Sequence, residues 1–130
     1  MGRDDGAMRK LLDELRAEAG ATACAIVSRS GVPLAHILPE EAHVDNFATM
    51  AATLVGAVDV ILEGLHRDTP RRVVIEADGN VLVLHAITEG AFVVALVPSY
   101  TPKVGDALAA VAKRAKTLLG GGDMDAFEEL

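Results

Sequence analysis

A chain of 130 residues, 51% of them hydrophobic, is long enough for one domain with one real core and too apolar for wholesale disorder. Its single cysteine, Cys24, excludes an internal disulfide and a cysteine-built zinc cluster, and fits a reducing cytoplasm. The net charge of −7 comes with no basic stripe and only 3% aromatics, so the charge and stacking that nucleic acids require are missing, and anionic membranes are poor partners for the same reason.

The first ten residues lack the apolar run of a signal peptide, and residues 1–6 read as a flexible N-terminus. Residues 7–19 then place Met8, Leu11, Leu12, Leu15 and Ala19 on one helical face, with Asp4 or Asp5 available as cap and Gly20 as terminator. Thr22–Ser28 reads as a buried strand and Leu34–Leu38 as a second, with Arg29-Ser30-Gly31 as the loop of their hairpin. Pro39 ends that strand.

A long helix over Val44–Leu65 carries 14 apolar residues in 22, and neither lysine nor arginine. Its bulky groups, Phe47, Met50, Leu54, Val58, Ile61 and Leu65, recur at three- and four-residue spacings and are assigned to the core. The other side holds Asp45, Ala48, Thr49, Ala52, Thr53, Gly56, Asp59, Val60 and Glu63, without the long charged side chains of a solvated helix face. Ala48, Ala52 and Gly56 recur every four residues, which lets another backbone come close. This side is therefore expected to be covered by a partner. The longest apolar stretch, Ala48–Leu62, contains Asp59 and two threonine hydroxyls and is shorter than the ~20 residues that span a bilayer, so no membrane insertion is expected.

Beyond the helix, Asp68-Thr69-Pro70 makes a turn, and Arg72–Ala77, Val81–Ile87 and Ala91–Pro98 read as strands. Asp78-Gly79, just before Asn80, signals a tight hairpin, and Thr88-Glu89-Gly90 a longer one. Thr101 and Pro102 supply an N-cap and a first helical residue, and Val104, Leu108, Val111, Ala115 and Leu118 form the buried stripe of a last helix. Gly120-Gly121-Gly122 stops it and leads into an acidic tail with Met124, Phe127 and Leu130 at three-residue spacing. The order is α-β-β-α-β-β-β-α: an α/β chain of the α+β type, with a five-stranded antiparallel sheet covered by helices over residues 7–119, followed by a Gly-rich linker and tail over 120–130.

No catalytic, metal or cofactor site assembles from these residues. Gly120–Gly122 lacks the lysine and hydroxyl of a phosphate loop and ends a helix instead of starting one. His36, His43, His66 and His85 stand apart, without the spacing of metal ligands. Cys24 sits mid-strand among apolar residues, where a thiol is inert. Glu40 and Glu41 suit a helix N-terminus, and Glu76 and His85 are not direct cross-strand partners in a two-residue hairpin. Arg29, Arg71 and Arg72 lie at turns or strand ends, where a guanidinium can reach a partner's phosphate or carboxylate.

VSRSGVPLAHI at the first hairpin, FATMAATLVGAVDVILEGL in the long helix, RRVVIEADGNVLVLHAI and AFVVALV together resemble the Roadblock family. These are dynein-light-chain-like proteins that include prokaryotic regulators of Ras-like GTPases. The resemblance implies a profilin-like sandwich, with the sheet between one long central helix and two terminal helices. It also implies homodimers or heterodimers with a paralogue, whose long helices pack side by side and whose third strands pair. Carried over, Ala48, Thr49, Ala52, Thr53, Gly56, Val60 and Glu63 would lie at or beside the dimer seam, with Val73, Val74 and Ile75 on the edge strand Val73–Ala77. The expected function is a non-enzymatic homodimeric scaffold that binds a small Ras-like GTPase and modulates its hydrolysis. No segment singles out an arginine finger, so such an effect would act by reshaping the GTPase. The alternative is a small-molecule sensor, since related sandwiches enclose ligands between sheet and helix.

Overall fold

Alternation along the central strands sets the layering, because each sends apolar side chains to both faces of the sheet. The computed structural model describes residues 2–120, in the order α1 (Gly2–Ala19), β1 (Ala23–Ser28), β2 (Pro33–Ile37), α2 (Val44–Gly64), β3 (Arg72–Ala77), β4 (Asn80–Thr88), β5 (Ala91–Val97) and α3 (Pro102–Leu119). The five strands form one antiparallel sheet in the order β2-β1-β5-β4-β3. The sheet lies between α2 on one face and α1 with α3 on the other, as expected.

The face beneath α1 and α3 carries the larger core. Cys24, Ile26, Val83, Val93 and Val97 meet Leu12 and Leu15 of α1 and Leu108 and Val111 of α3. Full burial of such a side chain contributes roughly 1.5–3 kcal/mol, so the terminal helices are firmly seated. On the opposite face, Ala25, Val27, Leu84, Phe92 and Val94 meet α2. Within α2 only Ala48 and Val55 are buried, so that helix is held by far less apolar area.

Local chemistry accounts for the boundaries. Asp78 and Gly79 form a two-residue turn between Ala77 and Asn80, with Gly79 at φ 78°. Thr101 caps α3 by accepting from the Val104 amide at 3.2 Å, with Pro102 in the first turn and Gly120 as C-cap. α2 ends when the Arg67 amide donates to the Leu62 carbonyl and the His66 amide to that of Glu63, with His66 left-handed at φ 58°. One boundary differs from the sequence reading. α1 reaches back to Gly2, so Asp4 and Asp5 lie within the helix and not ahead of it. The tail residues Met124, Phe127 and Leu130 lie outside the described residues.

The largest correction concerns the rotation of α2. Its bulky groups are divided: Phe47 and Leu54 pack against the sheet cluster and Val58 is half-buried, whereas Met50 is 54% exposed, Ile61 61% and Leu65 62%. The small residues go inward instead, with Ala48 fully buried and Ala52 packed on the same cluster. The physical reason is the β1–β2 hairpin. Its turn lies on α2 so closely that a Cβ at Gly31 would stand 3.4 Å from Thr49 Cα and 3.9 Å from Ala52 Cβ. A backbone does approach the small-residue stripe, as its spacing suggests, but that backbone is the chain's own.

Gly31 has φ 95°, so Gly31→Ala imposes both left-handed strain and this contact. It is expected to lower unfolding free energy by about 1–2 kcal/mol, read from the urea midpoint.

Candidate interaction surface

The rotation of α2 leaves an apolar stripe on the outside. Met50, Leu54, Ala57, Ile61 and Leu65 follow one another at three- and four-residue spacings, the pattern of a helix–helix seam. Val60, also exposed, flanks it. Beside the N-terminal half of this stripe lies an open groove of about 490 Å³ between α2 and the sheet, lined by Phe47, Met50, Ala51, Leu54, Leu82 and Val94. β3 is an edge strand of the sheet, and its Val74 and Ile75 are exposed. Because Ile75 is registered opposite Leu82, stripe, groove and edge strand adjoin one another. By length and composition α2 is apolar enough to cross a membrane. Here, however, it is seated on the sheet through Ala48 and Val55 and carries an ion-paired carboxylate.

Of the residues assigned to the seam from sequence, Ala48 has no surface left for a partner and Ala52 is half-buried against the chain's own core. Thr49, Thr53, Gly56, Val60 and Glu63 are exposed, with open space around Gly56. Thr53 and Val60 border the bulky stripe, whereas Gly56 and Glu63 lie across the helix from it. Val73 is half-buried beneath the α2 side, and Val74 points to the opposite face, where its partner is Val83. Sequence reasoning assigned Met50, Ile61 and Leu65 to the core and did not single out Leu82. One signal was present: Val58, Val60, Ile61 and Leu62 surround Asp59, an apolar arc too wide for one sheet contact.

Two of the three turn arginines are engaged by the chain's own groups. Arg29 donates through both terminal nitrogens to Asp59 Oδ2, at 2.8 and 2.5 Å, and so ties the β1–β2 turn to α2. Asp59 Oδ1 is buried with no partner, so this carboxylate depends on the single guanidinium. Arg72 Nε donates to His85 Nδ1 at 3.2 Å, and its guanidinium lies 5.6 Å from the centre of the Tyr100 ring. His85 is buried at 5% exposure; burial first, then Arg72 and Arg71, push its pKa down to about 4. Glu76 is registered with Val81, not with His85, so no dyad forms. Cys24 is fully buried, and burial pushes its thiol up to about 11, far from a nucleophile's range. Among the described residues, no three His, Cys, Asp or Glu side chains gather as a metal site.

Two tests follow from these contacts. Arg29→Met strands the Asp59 carboxylate and is expected to cost about 1–3 kcal/mol, while adding Asp59→Leu should restore part of the loss. Because the folded state holds His85 neutral down to about pH 4, against 6.5 in an open chain, the unfolded state binds the extra proton in between. The resulting stability is complete above pH 6.5 and falls as pH drops toward 4. His85→Gln is expected to flatten that part of the urea-midpoint profile relative to the parent chain.

A sequence model of the Roadblock/LC7 domain matches residues 8–97. No curated protein matches the chain significantly by sequence. Among solved structures, an MglB in a tetrameric arrangement superposes with a TM-score of 0.82 at 22% identity, covering 91% of each chain. Myxococcus xanthus MglB superposes at 0.84 with 12% identity, over 88% of this chain and 96% of its own. Acanthamoeba castellanii profilin IB gives 0.57 at 21% identity, over 88% and 98%. These likenesses establish the profilin-like fold.

Proposed function

Since the chain belongs to the Roadblock/LC7 family, we propose that it is a homodimeric regulator of a small Ras-like GTPase, without an active site of its own. The observation that carries the reading is the exposed apolar stripe of α2 beside an open edge strand. Met50, Ile61 and Leu65 together present far more bulky apolar surface than single scattered residues, and such contiguous surface marks an interaction site. A second copy meets both needs at once. Antiparallel pairing of β3 with its symmetry mate closes the free edge, and the same two-fold axis brings the partner's α2 over the groove beside Leu54 and Leu82.

The seam is therefore placed on Met50, Leu54, Ala57, Ile61 and Leu65, bordered by Thr53 and Val60, with Val73, Val74 and Ile75 along the paired edge. Gly56 and Glu63 then lie on the outer side of the dimer. The resemblance to GTPase regulators, and MglB structures among the similar folds, support a GTPase as the further partner. Arg29 and Arg72 are held by Asp59 and His85 and are not poised to insert into a GTPase, which favours an effect on hydrolysis through reshaping the GTPase.

Ile61→Arg should shift the chain to monomer in sedimentation velocity, costing about 2–4 kcal/mol of association while leaving the circular dichroism spectrum intact. Gly56→Arg should leave the dimer in place. If Gly56→Arg dissociates it and Ile61→Arg does not, the seam lies on the small-residue side. The GTPase arm is read by calorimetric titration with a purified Ras-like GTPase from the same genome, loaded with GDP or a GTP analogue. Nucleotide-dependent binding supports it, and no binding in either state overturns it.

A further inference from the structure

At the other end of β4 from the α2 groove lies a second concavity, of about 930 Å³, between the α2–β3 connection, β4 and α3. Its lining brings Arg29, Arg71, Lys113 and Lys116 together with only two carboxylates, Asp68 and Glu89. That local excess of positive charge stands out in a chain of net charge −7. Arg29 is held by Asp59, but Arg71, Lys113 and Lys116 make no ion pair among the described residues. Lys113 and Lys116, one turn apart on α3, face Arg71 across the opening.

His85 supplies the second observation. It is the buried polar side chain of the described core, and it lines this concavity. Because Nδ1 accepts from Arg72, the ring proton sits on Nε2, which has no acceptor among the described residues. A buried histidine and several cations lining one concavity are groups that can hold an oxyanion.

We propose that this concavity binds a small molecule bearing phosphate-type oxyanions. His85 Nε2–H donates to one oxygen, and Arg71, Lys113 and Lys116 hold the negative charge from the surrounding walls. Asp68 and Glu89 oppose the ligand and limit its affinity. The site is independent of the α2 stripe, so it stands or falls separately from the dimer and its GTPase.

The test is an NMR titration of the full chain with inorganic pyrophosphate at low ionic strength and pH 7. Saturable one-to-one binding is expected, with shifts centred on the His85 ring, Arg71, Thr88 and Lys113. Under saturating pyrophosphate the His85 ring should titrate at higher pH than in its absence, because a bound anion favours the imidazolium. Replacing both lysines (Lys113→Gln, Lys116→Gln) should weaken binding by about tenfold or more, and Glu89→Gln should tighten it. Shifts that stay linear into the millimolar range overturn the proposal. So does equal affinity in the double glutamine variant, or binding that leaves the His85 ring unmoved.

Discussion

The seating of α2 on the sheet is the contact on which the rest of the molecule's surface depends. Ala48, Ala52 and Val55 let the helix lie close, and Gly31 lets the β1–β2 turn press against Thr49 and Ala52. The Arg29–Asp59 ion pair then ties that turn to the helix. A helix held by its small side must present its large side elsewhere. The exposed stripe from Met50 to Leu65 is thus the direct consequence of how the helix is attached.

The two faces of the sheet are unequally covered. Beneath α1 and α3, large aliphatic side chains are fully buried and give the domain its own stability. Beneath α2, the contact is thinner and leaves apolar groups half-covered. Further cover on that face would add stability that rises with the logarithm of the partner's concentration, coupling the fold of α2 to association. Edge strand β3 belongs to the same lightly covered region, so sheet extension and helix pairing would act together.

Much of the architecture was legible because its local signals agree with one another. Asp78-Gly79 set the β3–β4 register, Thr101-Pro102 the start of α3, and the alternation in β1, β4 and β5 the two-sided sheet. The rotation of α2 was not legible from its own periodicity. Both of its faces are apolar, and which one meets the sheet is decided by a hairpin turn some twenty residues away. Likewise, Arg29, Arg71 and Arg72 look alike as turn cations, yet Asp59, His85 and Tyr100 distinguish them only in three dimensions. His85 itself, an isolated strand histidine in sequence, gains its character from burial and from Arg72. Small residues at four-residue spacing report close approach of a backbone, without saying whose.

The bulky side of α2 is the proposed meeting face between copies. Isotope-filtered NOE spectroscopy on a mixture of methyl-labelled and unlabelled protein reads that face directly. Intermolecular NOEs are expected from the methyl groups of Met50, Leu54 and Ile61, and none from Ala48 or Ala52. Intermolecular NOEs confined to Ala52 and the Gly56 side, or none at concentrations where the chain is associated, would contradict it.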